Sequence, residues 1–227
     1  MNTEIFSSRF TAEQQIIVDK LTGLDELLTD EEAKLAQTII DEDSKKMHYW
    51  RMRPFDNICF IPTVEFVDGL SKIIKQLTTE KVVEVCAGKG KLSYHLQKQG
   101  INITPIDKEP QSDMVERFYH MLAIEVHKPK LVIGAWLYPE GYKQEHSVWN
   151  DIVKYYVKAN KVDHFIEIGA IEKEGNYNST GSSIRMRELI KEQKRKYEVT
   201  SFPELVQHVY SGVNEDLAKH VTLITRK

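Results

Sequence analysis

The segment that most constrains this 227-residue chain is VVEVCAGKGKLSYHLQKQGINITPID, residues 82–107. It opens with a short β-branched run, the composition of a buried strand. Gly88 and Gly90 follow at once, and KLSYHLQKQG then has the spacing of a helix closed by Gly100. INITPID is a second strand. Strand, tight turn, helix and strand make a βαβ unit, whose two strands lie parallel in one sheet. Glycine directly after a strand lets the backbone turn sharply and approach a ligand. The helix start behind it offers open amides. Glu84 lies near the tip of the first strand, and Asp107 ends the second.

These details separate two kinds of nucleotide. A dinucleotide loop has G-x-G-x-x-G, with the third glycine letting the helix pack closely. Here the stretch is A-G-K-G-K-L-S, and that third glycine is absent. A carboxylate four residues before the first glycine repels a pyrophosphate and suits a cationic amino group. An acid at the tip of the second strand can accept both hydroxyls of a ribose. The same residues also suit a ligand-free domain that uses glycine only for a tight turn.

The pattern elsewhere changes near residue 78. Before it the signals are helical. Thr11 to Gln14 and Thr29 to Glu32 both read as capping boxes. Ile17, Leu21, Leu24 and Leu28 follow the first with helical spacing, and a third helix starts after Pro62 and Thr63. After residue 78, strands and helices alternate: KLVIGAWL and HFIEIGA are apolar strands, DMVERFYHMLAIEV and VWNDIVKYYVKAN are helical, and YEVTSF and HVTLITR close the chain as two strand-like runs expected to pair antiparallel. This predicts an α/β fold, a doubly wound and mainly parallel sheet. Residues 1–77 form an N-terminal helical cap, and residues 78–227 the sheet domain.

E-V-C-A-G-K-G resembles motif I of the class I S-adenosylmethionine-dependent methyltransferases, D/E-x-G-x-G-x-G. Asp107 falls where that family keeps its ribose-binding acid, LVIGAWLYPEG resembles its fourth strand, and the closing pair resembles its antiparallel β6–β7 hairpin. The likeness covers residues 78–227. It implies a seven-stranded Rossmann-like sheet binding S-adenosylmethionine, with a third strand that is short or missing because Leu131 follows Asp107 by only 24 positions. Carried over, Glu84 contacts the methionine amino group, Cys86, Ala87, Gly88 and Gly90 line the methionine and sugar, Asp107 holds the ribose, and Lys108 lies beside the adenine. Trp136 packs near that ring or in the core, and Asp113 and Met114 are further candidates for the adenine. Cys86 departs from the family, which prefers glycine there.

Methyl transfer needs a nucleophile aligned with the methyl group, and sometimes a base. The loop after the fourth strand offers Tyr138 and Glu140 to orient or deprotonate a substrate, with Tyr138 also a substrate-binding candidate, though Pro139 and Glu140 equally suit an ordinary exposed turn. Tyr49 and Arg53, with Trp50, Arg51 and Phe55, lie just before the sheet domain, where they either cover a substrate or anchor the cap. The polar run EGNYNSTGSS and the basic helix IRMRELIKEQKRK read as a binding loop and a phosphate-binding face, or as a surface connection and a solvated face.

The remaining features mainly exclude. A net charge of −3 gives no global pull toward nucleic acid or anionic membrane, and N/D-P-P-Y/F is absent. Two cysteines cannot build a metal or disulfide framework, and no histidine spacing suggests a metal. The N-terminus lacks a signal-peptide core, and no run approaches the roughly 20 apolar residues that span a bilayer. The expectation is a cytoplasmic methyltransferase acting on a small molecule or peptide side chain. Two alternatives stay open: an aminocarboxypropyl-type transferase on the same fold, and a non-catalytic partner subunit whose N-terminal helices form a homo-oligomer interface.

Overall fold

The computed structural model describes residues 10–46, 60–135, 162–171, 197–210 and 218–227. Three helices come first: α1 (Ala12–Thr22), α2 (Asp30–Lys46) and α3 (Val64–Leu77). Then follow β1 (Val82–Val85), α4 (Lys91–Lys98), β2 (Ile103–Asp107), β3 (Glu116–Arg117), α5 (His120–His127), β4 (Leu131–Ala135) and β5 (His164–Ile171). The described chain closes with β6 (Tyr197–Ser201), the short α6 (Pro203–Val206) and β7 (Ala218–Arg226).

The seven strands form one mixed sheet in the order β3-β2-β1-β4-β5-β7-β6. β3, β2, β1, β4 and β5 run parallel, while β7 pairs antiparallel with both β5 and β6. The order 3-2-1-4-5 is that of a doubly wound sheet, and it reverses between β1 and β4, where ligands bind outside the strand tips. The short third strand and the closing antiparallel pair are as expected. The segment 113–119, expected to be helical, is not: Glu116 and Arg117 pair with Ile106 and Asp107, filling the open edge of β2, and helix starts only at His120.

Alternation along each strand sends neighbouring side chains to opposite faces. Val82, Leu131, Ile133, Ile166 and Ile168 pack with Phe66, Val67, Leu70 and Ile74 of α3 and with Leu92 and Leu96 of α4. Val83, Val85, Val132 and Phe165 pack with Ala123 and Ile124 of α5 on the other side. α3 therefore packs directly on the sheet although it precedes the pattern change at residue 78.

α1 and α2 bury a separate cluster, including Ile17, Leu21, Ala33, Ala36 and Ile40, joined by Ile61 and Tyr210. Both capping boxes form. The Gln14 amide donates to Thr11 Oγ1 (3.2 Å) while the Thr11 amide donates to Gln14 Oε1 (3.0 Å). The Thr29 amide donates to Glu32 Oε2 at 2.8 Å, and the Glu32 amide returns a bond to Thr29 Oγ1 at 3.3 Å. α1 is shorter than its apolar spacing suggests. It ends at Thr22, so Leu24 and Leu28 lie beyond it, and Leu28 instead bridges Thr63. Among the described residues no helix is long and apolar enough to cross a membrane.

Candidate functional site

The chain leaves β1 through three left-handed residues: Cys86 (φ 56°), Gly88 (57°) and Gly90 (78°), the last being the N-cap of α4. The bend is tied to β2. The Ala87 amide donates to the Ile106 carbonyl (3.0 Å), the Gly88 amide to Asp107 Oδ2 (2.9 Å), and the Gly90 amide to the Ala87 carbonyl (2.7 Å). The segment after β2 folds over it: the Gln111 amide donates to the Gly88 carbonyl at 3.0 Å, and Ser112 Oγ to the Lys89 carbonyl at 2.8 Å. A Cβ on Gly90 would lie 2.8 Å from Val115 Cγ2 and 3.3 Å from Met114 Sδ, so the protein's own packing requires glycine there. Among the described residues only Gln111 Nε2 comes within 4 Å of a Cβ built on Gly88, at 3.9 Å, and φ at that position favours glycine.

Glu84 and Asp107 project from neighbouring strands on the face covered by α3 and α4, as the register Glu84↔Pro105 requires. Glu84 is only 4% exposed. Its Oε2 accepts from the Ser93 amide (3.1 Å) and from Ser93 Oγ, so the strand's carboxylate caps the first turn of α4. Burial pushes its carboxyl up to about 7; the Ser93 bonds oppose that rise, and the negative charge of Asp107 adds to it. Asp107 Oδ2 holds the Gly88 amide, and Oδ1 accepts from the Glu109 amide at 2.9 Å. A carboxylate has about four acceptor sites, so each oxygen keeps a lone pair for a further donor.

This arrangement selects ligand chemistry. A phosphate cradle needs open backbone amides. Here the amides of Ala87, Gly88 and Gly90 are already engaged, and two carboxylates lie close by. This acceptor set fits a group that brings a cation and hydroxyl donors, and it does not fit a pyrophosphate. The amino group and ribose of S-adenosylmethionine meet that description.

Of the other residues expected here, Cys86 and Lys108 are exposed and Ala87 is half-buried. Met114 packs on Gly90, and Asp113 is exposed. Trp136, Tyr138, Glu140, Tyr49, Trp50, Arg51, Arg53, Phe55, the run EGNYNSTGSS and the basic segment 184–196 lie outside the described residues. Among the described residues no cluster of three or more metal-ligating side chains occurs.

Sequence reasoning missed one polar pair. Glu167 of β5 and His220 of β7 meet on the α5 face of the sheet, with His220 Nε2 3.2 Å from Glu167 Oε2. Cross-strand register places His220 opposite Gly169, two residues along β5 from Glu167 and on the same face. Glu167 is level with Gly134 of β4, close to the strand tips. The only signal in the sequence is a lone acid in an otherwise apolar strand, HFIEIGA.

No family model matches the sequence, and no curated protein matches it. Several solved structures resemble it in outline. The methyltransferase domain of bacterial CtHen1-C is 12% identical, with a TM-score of 0.43 covering 71% of this chain and 96% of that one. The bifunctional kinase-methyltransferase WbdD is 15% identical with a TM-score of 0.44, covering 93% of this chain and 45% of that one. TehB from Haemophilus influenzae is 15% identical with a TM-score of 0.44, covering 71% of this chain and 61% of that one. This chain thus spans less than half of WbdD and less than two thirds of TehB. At such identities and scores the fold is read from the strand order and pairing, and nothing about activity is taken from these likenesses.

Proposed function

We propose that this chain is an S-adenosylmethionine-dependent methyltransferase acting on a small molecule or a peptide side chain. One observation carries the reading: two carboxylates from adjacent strands flank a glycine bend whose own amides are already engaged. Glu84 receives the cofactor's amino group and Asp107 its ribose hydroxyls, with Gly88 beside the sugar. When bound, S-adenosylmethionine supplies an electrophilic methyl on a sulfonium. The chain's own part is to bind that cation, orient it at the switch point between β1 and β4, and keep competing anions away.

Calorimetry with S-adenosylhomocysteine tests the reading. Binding in the micromolar range or tighter is expected, and Asp107→Ala should weaken it by about 1.5–3 kcal/mol, the scale of hydrogen bonds to a charged group. An affinity unchanged in Asp107→Ala would show that the ribose contact is elsewhere. The competing reading is a non-catalytic partner subunit. It is favoured by the engagement of both Asp107 oxygens with backbone amides, and absence of any heat of binding would select it.

A further inference from the structure

The bend and the helix behind it grip the end of α1 and the residues that follow it. Lys89 Nζ donates to the Thr22 carbonyl (3.0 Å), and Lys91 Nζ to the carbonyls of Gly23 (2.8 Å) and Lys20. Further along α4, Tyr94 Oη donates to Asp25 Oδ1 (2.9 Å), and His95 Nε2 lies 2.8 Å from the Leu24 carbonyl. The carbonyls at the end of α1 are those a helix leaves open at its C-terminus, where the dipole favours a cation. Lys91 is part-buried there; burial, with Lys89 beside it, lowers its amine to about 8, against the pull of Glu26 and Asp25.

Lys89 also stands between Gly88 and Gly90. Its side chain holds α1, and its carbonyl takes the Ser112 hydroxyl, so the bend is clamped from both sides. The clamp matters because Cys86 has φ 56°, a conformation a side-chain-bearing residue keeps only when its surroundings hold it. α1 and α2 bury an apolar cluster of their own, distinct from those of the sheet and joined by Ile61 and Tyr210, so the clasp of Lys89 and Lys91 ties that cluster to the bend.

We infer that Lys89 and Lys91 are positioning residues that hold the glycine bend in its ligand-ready shape through the end of α1, and so couple the seating of α1 and α2 to ligand binding at the bend. The inference rests on the function proposed above. Contacts that pre-form the bend lower the ordering cost a ligand meets. By linkage, the ligand must tighten α1 and α2 by the same factor.

Amide hydrogen exchange of the full chain, with and without saturating S-adenosylhomocysteine, tests this. Exchange across residues 12–46 should slow on binding. Lys91→Met should abolish that slowing and weaken S-adenosylhomocysteine about tenfold, a typical coupling. Lys89→Met should act in the same direction, and it serves as the test should the Lys91 variant fail to fold. Binding that leaves exchange in residues 12–46 unmoved, or variants that bind like the parent, would overturn this inference alone. Failure of the parent chain to bind S-adenosylhomocysteine would overturn the proposed function and this inference together.

Discussion

At the scale of single residues, the bend carries two opposite compromises. Cys86 adopts a left-handed conformation that costs a side-chain-bearing residue about 1–2 kcal/mol. Cys86→Gly relieves that strain but adds freedom to the unfolded chain. The net expectation is a gain of about 0.5–1 kcal/mol, read from urea denaturation. Glu84 titrates near neutrality because it is buried. Its folded value of about 7 lies above the ordinary 4.5, so the folded state holds its proton more tightly than the unfolded chain does. The resulting stability is full below about pH 4.5 and is lost as pH rises through 7, on the order of 3 kcal/mol in all. Glu84→Gln should flatten that decline in denaturation curves taken between pH 5 and 8. A cation seated against Glu84 favours the carboxylate, so S-adenosylhomocysteine should bind more tightly at pH 8 than at pH 6, with proton release detectable by calorimetry in buffers of differing ionisation heat. Glu84 was legible in the sequence as an acid at a strand tip; its burial and its bond to Ser93 were not, since both depend on how α4 packs back on β1.

At the scale of elements, the closing strands hold the Glu167–His220 pair inside the sheet. Taking polar groups out of water is costly, and burying one without its hydrogen-bond partner is costlier still. Glu167→Leu or His220→Leu alone should therefore destabilise the chain by about 1–3 kcal/mol, and the double variant by less than the sum of the two single changes, in a denaturant double-mutant cycle. α3 shows a different economy: Gly69 lies mid-helix because a Cβ there would come within 2.4 Å of Leu205 Cδ2. The glycine lets α6 approach, and Gly69→Ala should cost about 1–3 kcal/mol from overpacking. Among the described residues, local pattern foretold the helices and strands where one face is buried, while the expected helices at 148–160 and 184–196 lie outside them. It failed at 113–119, where an apolar-polar run suited to a helix instead fills the edge of β2.

At the scale of the whole molecule, ligand binding and stability are linked. S-adenosylhomocysteine at 100 times its dissociation constant should stabilise the fold by about 2.7 kcal/mol, seen as a higher melting temperature. ATP or NAD at matched concentration should leave the melting temperature unmoved, because the bend amides are engaged and two carboxylates stand nearby. A shift with either nucleotide would overturn this ligand selectivity.

The sequence alone determined the βαβ core, the glycine bend, the acids at the tips of β1 and β2, and the antiparallel close, because each follows from hydrophobic period, glycine placement or residue order within a short window. Only the tertiary structure decided that the bend's amides face inward, that Lys89 and Lys91 clasp the end of α1, and that Glu167 meets His220. The lysine clasp and the Glu167–His220 pair join residues 53 to 71 positions apart, and packing of separate elements brings them together, not any local preference of the chain.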